Sequence, residues 1–304
     1  MTDNITLPES FRQRVASVWG ERGEAWVERL PRLLAQCAAR WGLTVQSPLP
    51  ALSYSFVALV VQADGQEAVL KIGVPNRELT TEIEALRAFQ GRPVVELLAA
   101  DRQLGALLLR RLIPGTPLSH LRDDGEATLI AAHLIRDVPM SKPVDHAFPT
   151  VGDWAQAFGR LRARFNGGTG PLPRRLVEKA EDLLSQLHTS SRPRQLLHGD
   201  LHHDNILSDG GTTWVAIDPK GVIGDPAYEA ARLQHNPIPG FLAMEHPRRV
   251  ARRRLEILAS ILETDRSRLL AWAFFDAMLA ACWSVEEDGD WRYHLACAEL
   301  FDET

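Results

Sequence analysis

Cysteine is scarce: Cys37, Cys282 and Cys297 are far apart, odd in number and without paired spacing. That excludes a disulfide framework and a zinc knuckle, and leaves three core thiols. No uninterrupted apolar run reaches the roughly eighteen residues that span a membrane. The N-terminal MTDNITLPESFRQRV has no basic stretch followed by an apolar one. The expected setting is therefore cytoplasmic, with no membrane partner. Positive charge is not in excess either: a net charge of -5 and a pI near 6.1 supply no basic field for nucleic acid. A cationic small-molecule substrate is compatible with that balance. Neither G-x-x-x-x-G-K-[ST] nor a G-x-G-x-x-G after a strand is present, which excludes P-loop and Rossmann nucleotide sites. There is no internal repeat and no low-complexity tract. Oligomeric state is left open.

What is present is enough for one large core or two modest lobes: 304 residues, 45% hydrophobic and 24% charged. From Phe11 to Cys37 apolar residues recur at helical spacing with a break near Gly20 to Gly23, which predicts two opening helices. Phe56 to Val61 and Glu67 to Ile72 read as a hairpin closed by a two-residue Asp64-Gly65 turn. A helix over residues 77 to 90 follows, then a strand from Leu104 to Leu112 stopped by Pro114-Gly115. These elements predict an α+β fold. Residues 1–113 would form an N-lobe with an antiparallel sheet, and residues 114–304 a larger, mainly helical C-lobe. Helices are expected near 125–136, 152–165, 174–188, 247–263 and 267–285, interrupted by short strands at Gln195 to Leu197, Ile206-Leu207 and Trp214 to Ile217.

The chemistry is concentrated among those short strands. In His198-Gly199-Asp200-Leu201-His202-His203-Asp204-Asn205 an asparagine stands five positions after an aspartate, the separation of a kinase catalytic loop. One carboxylate can accept a hydrogen bond from an attacking hydroxyl while the carboxamide oxygen coordinates a metal that bridges phosphates. A second carboxylate, Asp218, ends the next hairpin thirteen positions beyond Asn205. Upstream, a phosphate-clamping lysine inside a strand needs a glutamate from the following helix. Lys71 in Ala68-Val69-Leu70-Lys71-Ile72 fits the first. At about 100° per residue, Glu82 shares the apolar face of Leu79, Ile83, Leu86 and Phe89, whereas Glu84 points away. A carboxylate on an apolar face requires a cation, and Lys71 is the candidate.

With Ile217-Asp218-Pro219-Lys220-Gly221 and Gly224-Asp225-Pro226-Ala227-Tyr228, the His198 to Asn205 segment resembles the aminoglycoside phosphotransferases, most of all the streptomycin 6-phosphotransferase and hydroxyurea phosphotransferase branch. The likeness covers most of the chain. It implies a protein-kinase-like bilobal fold that transfers the γ-phosphate of MgATP to a small-molecule hydroxyl. It further implies that Asp200 is the catalytic base, that Asn205 and Asp218 hold Mg2+, that Lys71 with Glu82 positions the triphosphate, and that adenine lies against the backbone near Arg110 to Leu112. An aminoglycoside such as streptomycin is the expected acceptor. Hydroxyurea or another small metabolite alcohol is the alternative.

Several residues depart from that pattern or admit a plainer reading. Ala51-Leu52-Ser53-Tyr54-Ser55-Phe56 has no glycine, so hydroxyls or amides of Ser53 and Ser55 would have to cover the phosphates. Gly199 replaces the arginine of a protein kinase, and no A-P-E segment follows Asp218, which favours a small-molecule kinase. Asp225 reads as a structural cap and His198 as a hydrogen-bonding partner, while Lys220 could reach a phosphate. Glu286, Glu287 and Asp288 cluster at a helix end, where they could face a cationic substrate. Trp283 could stack on a ligand or pack in the core. Two readings from other classes stand beside this one: a metallophosphoesterase, which lacks a needed Gly-Asn-His segment, and a nucleotide-binding module without turnover.

Overall fold

The computed structural model describes residues 7–49, 52–140, 148–189 and 193–304. The chain divides into two units. One comprises residues 1–90 and 95–112, the other residues 91–94 and 113–304.

The first unit opens with α1 (Glu9–Trp41), whose buried stripe of Phe11, Val15, Trp26, Leu30, Leu34 and Cys37 follows the helical repeat read in the sequence. Gly20, at φ 54 and ψ -141, interrupts the helix where two helices were expected. That stripe joins one core with alternate residues of β2 (Phe56–Val61) and β3 (Glu67–Ile72): Phe56, Ala58 and Val60 from the first, Ala68, Leu70 and Ile72 from the second. Pairing of Phe56 with Ile72 and of Val61 with Glu67 fixes the hairpin register. The turn differs from expectation. Gln62 N–H donates to the Gln66 carbonyl and Gly65 N–H to that of Gln62, so Ala63-Asp64-Gly65 forms a three-residue loop with Gly65 at φ 85.

The sheet is five-stranded in the order β1-β2-β3-β5-β4, with β1 (Thr44–Pro48), β4 (Leu97–Asp101) and β5 (Ala106–Arg110) completing it and every pairing antiparallel. β1 and β4 were not anticipated. They are the edges: β1 is largely exposed and ends on a proline, and the LLAAD of β4 has neither alternation nor β-branched residues. Between β3 and β4, α2 (Arg77–Ala88) starts at Asn76, whose side chain accepts the Leu79 N–H at 2.7 Å.

In the second unit α3 (Asp124–Asp137), α4 (Val151–Trp154), α5 (Gln156–Arg164) and α6 (Arg174–Thr189) precede the short strands. The single helix expected over 152–165 is two, because a Thr150–Asp153 capping box starts α4 and the chain turns at Ala155. β6 (Gln195–Leu197) pairs with β9 (Val222–Gly224), and β7 (Ile206–Ser208) with β8 (Trp214–Ala216), so the reactive loop is held between two small ladders. Then come α7 (Ala231–Gln234), α8 (Pro247–Leu262), α9 (Arg266–Glu286) and α10 (Arg292–Asp302). By length and composition α9 could cross a membrane, yet its apolar residues are buried against α5, α6, α7, α8 and α10, which makes it the core helix of this unit.

Candidate active site

Leaving β6, the chain makes a tight loop through His198, Gly199 and Asp200. Gly199 sits at φ 81, and a Cβ there would come within 2.7 Å of Val222 and 2.8 Å of Trp154. Backbone sign and lack of space both demand glycine, which is the structural reason no arginine occupies this position. Glu229, from the short 3-10 turn Pro226–Ala230, accepts the His198 N–H at 2.6 Å and the Gly199 N–H at 2.9 Å. Burial, with Asp200 adding to it, pushes the Glu229 carboxyl up to about 7 against those two amides. His198 is fully buried. Its Nδ1 accepts the Asp200 N–H at 3.3 Å, so Nε2 carries the proton that meets the Ile217 carbonyl at 2.8 Å. Burial lowers this imidazole to about 4 and keeps it neutral.

Asp200 is thus mounted on a loop tied at both flanks. The Asn205 amide nitrogen donates to the Asp200 carbonyl at 2.9 Å and lies 3.4 Å from Asp200 Oδ2. That contact fixes the side-chain amide orientation and leaves Asn205 Oδ1 as its acceptor end. The β7–β8 ladder pairs Ile206 with Ala216, and the Ile217 N–H donates to the Asn205 carbonyl at 2.9 Å, so the backbone sets Asp218 beside Asn205. Asp218 adopts φ 58, a left-handed conformation uncommon for a residue with a side chain and frequent where function constrains the backbone. A carboxamide oxygen and a carboxylate are hard donors that suit Mg2+; among the described residues no group of three or more His, Cys, Asp or Glu is gathered as a metal site.

The other sequence-predicted residues fall as follows. In the first unit Lys71 Nζ donates to Glu82 Oε1 at 2.7 Å, with both residues 8% exposed, while Glu84 pairs outside with Arg87 and Arg102. Ser53 and Ser55 lie in the bend before β2, where Arg14 donates to the Leu52 carbonyl at 2.6 Å; Ala51 lies outside the described residues. Arg110 ends β5 opposite Ala68, its N–H on the Glu96 carbonyl at 3.0 Å, and Leu112 is buried. Asp225 caps the 3-10 turn through the Ala227 N–H and also takes the Trp272 indole N–H at 3.0 Å and the Arg268 guanidinium, a structural role. Lys220 donates its backbone N–H to the His198 carbonyl at 2.8 Å. In the acidic cluster Glu286 accepts two hydrogen bonds from Arg160 and Asp288 one from Arg164 at 2.6 Å, both arginines lying on α5; Glu287 is exposed. Trp283 packs edge-on against Trp154 and beneath Arg232.

A buried polar group behind the loop was not anticipated. Asp276, in the middle of α9, accepts Tyr228 Oη–H at 2.6 Å and His235 Nε2 at 2.7 Å, and lies 3.4 Å from Arg232. Burial opposes ionisation there, yet Arg232 and these donors hold the carboxyl well below the usual carboxylate range. The signal was available: Asp276 in Trp272-Ala273-Phe274-Phe275-Asp276-Ala277-Met278 is an acid set among apolar helical residues, as Glu82 is on the apolar face of α2.

A small antiparallel sheet in one unit and a helical second unit carrying this loop are the parts of the protein-kinase-like phosphotransferase fold. Choline kinase LicA from Streptococcus pneumoniae shares the fold at a TM-score of 0.65 over 91% of this chain and 100% of the other; the 13% identity speaks to fold alone. The sequence is more specific. The model of the aminoglycoside/hydroxyurea antibiotic resistance kinases matches residues 40–289, and the chain belongs to that family. It is 31% identical to the streptomycin 6-kinase of Streptomyces glaucescens over 93% of this chain and 92% of the relative. Identity to the hydroxyurea phosphotransferase of Kitasatospora aureofaciens is 34%, over 93% and 81% of the two chains. The chain is accordingly a small-molecule kinase that uses a hydroxyl group as acceptor.

Proposed function

We propose that this kinase moves the γ-phosphoryl group of MgATP to a hydroxyl of an aminocyclitol antibiotic of the streptomycin type. The observation that carries the reading is the mounting of Asp200, with Asn205 fixed against it and Asp218 set beside Asn205 by the β7–β8 ladder. Asp200 accepts the proton of the attacking hydroxyl as the new O–P bond forms and the bond from the γ-phosphorus to the bridging oxygen breaks. Asn205 and Asp218 are the residues that would hold magnesium. That ion, when bound, neutralises charge on the phosphate oxygens. Lys71, oriented by Glu82, takes the α- and β-phosphates, Ser53 and Ser55 cover them, and the Arg110 to Leu112 backbone receives the adenine. His198, Lys220 and Asp225 support the loop. Catalysis then rests on orientation and charge neutralisation rather than on a covalent intermediate.

The streptomycin 6-kinase relatives support the acceptor. The hydroxyurea phosphotransferase relative supports a second reading, in which the acceptor is a much smaller hydroxyl compound. Purified protein with MgATP and each compound in turn separates them: the first reading expects ADP and a singly phosphorylated streptomycin by mass spectrometry. Phosphorylated hydroxyurea with unchanged streptomycin would overturn it in favour of the second. A nucleotide-induced thermal shift with no acceptor-dependent ADP would return the chain to the class of binding modules.

A further inference from the structure

Arg232, on α7, is the cation that meets Asp200 directly. Its Nε lies 3.4 Å from Asp200 Oδ1, and its Nη2 lies 3.4 Å from Asp276 Oδ1. The side chain is 15% exposed and its guanidinium packs over the Trp283 ring, 5.7 Å from the centroid, so it has little freedom to swing away. Asp276 is satisfied at closer range by Tyr228 and His235, at 2.6 and 2.7 Å. Tyr228 is in turn wedged edge-on among Trp154, Trp272 and Phe275. The guanidinium therefore stands equally far from a carboxylate that other donors already fix and from one that carries the chemistry. Its buried Nε makes no hydrogen bond in this structure. A buried N–H of that kind costs free energy until it finds an acceptor, and the nearest carboxylate oxygen is that of Asp200.

We infer that Arg232 is a positioning residue: anchored through Asp276 to α9, it fixes the Asp200 carboxylate in the orientation an attacking hydroxyl requires. The inference rests on the reading of Asp200 as the catalytic carboxylate and adds the element that aims it. Asn205 approaches one carboxylate oxygen at 3.4 Å, and Arg232 and, at 3.9 Å, His202 approach the other. Restraint from opposite oxygens stops rotation about the Cβ–Cγ bond, which a single contact would not. Catalytic contacts of this type are commonly long without substrate and tighten in the complex. Misplacement of a reacting group by about 1 Å is worth on the order of a hundredfold in rate.

The test compares Arg232→Met, which keeps the unbranched stem as far as the Nε position and loses the guanidinium, with Arg232→Lys and Asp200→Asn. In MgATP assays with streptomycin and with hydroxyurea, Arg232→Met is expected to lose roughly 10- to 100-fold in kcat, with KM values for nucleotide and acceptor within about threefold. Arg232→Lys should recover part of the loss. The pairing is read separately from a double-mutant cycle of Arg232→Met and Asp200→Asn in urea unfolding, where the two effects should not add. If neither compound is phosphorylated by the wild-type protein, the acceptor reading fails alone, and acceptor-free ATP hydrolysis with the same variants replaces the rate arm. Additive stability effects overturn the inference, as does a kcat within twofold of wild type. A kcat loss that Arg232→Lys does not relieve and that tracks lost thermal stability assigns Arg232 to folding and also overturns it.

Discussion

Among the described residues of the first unit, Lys71 and Glu82 are the charged side chains that enter the core, and an ion pair joins them between β3 and the apolar face of α2. Behind the Asp200 loop of the second unit, Glu229, Arg232, His235 and Asp276 are packed together with Tyr228 and His198. The difference is one of redundancy. The pair joins two elements through one ion pair, whereas the network draws its groups from the 3-10 turn, α7 and α9. The contrast predicts that both members of the pair can be replaced together with the fold retained, and that replacing a member of the network shifts Asp200.

The largest effect expected is at the chemical step. Asp200→Ala should cost on the order of a thousandfold or more in kcat in a protein that still folds, and retention of activity would remove the loop from the mechanism. Next comes the pair. Glu82→Ala should destabilise the protein by about 3 kcal/mol in urea unfolding, because it leaves Lys71 charged and buried. The double variant Lys71→Met with Glu82→Leu should regain most of that stability while remaining inactive. A double variant as unstable as the single would contradict the contrast drawn above. Gly199→Ala should cost about 2 to 4 kcal/mol, from the left-handed backbone and the collision with Val222 and Trp154, and should also impair turnover.

Acid sensitivity sharpens the comparison further. His198 and His294 are both lowered to about 4, chiefly by burial. Unfolded chains take up those protons below about pH 6.5 while the folded protein does not, so stability should fall as pH drops from about 6.5 to about 4. Replacing His198 by Gln should flatten that slope, and an unchanged slope would show that the ring is not held neutral. The smallest effect is expected at the surface. Arg160 is 54% exposed by side chain, so Arg160→Ala should cost less than about 1 kcal/mol and leave acceptor KM within about twofold.

Legibility in the sequence followed the same division. The β2–β3 hairpin, the face of α2 that carries Glu82 and the position of Lys71 were readable because period two and period 3.6 express themselves within a dozen residues. Asp200, Asn205 and the ladder leading to Asp218 were readable because their spacing is local. The three-residue turn, the edge strands β1 and β4 and the short β9 were not, since each depends on partners rather than on its own pattern. Glu229, Arg232 and Asp276 converge on the loop from positions far along the chain, and burial of charge inside small or apolar residues was the sole local trace of them. The partners of Glu286 and Asp288 were hidden for the complementary reason: Arg160 and Arg164 lie more than a hundred positions earlier, on α5.

The central claim is that Asn205 and Asp218 hold a divalent ion beside the phosphates while Asp200 receives the hydroxyl proton. Manganese binding, followed by electron paramagnetic resonance in the presence of a non-hydrolysable ATP analogue, tests the first half without relying on turnover. Asn205→Ala and Asp218→Ala should each weaken manganese binding by at least about tenfold, and Asp225→Asn should do so far less. Manganese affinity in Asp218→Ala equal to that of the wild-type protein would contradict the account.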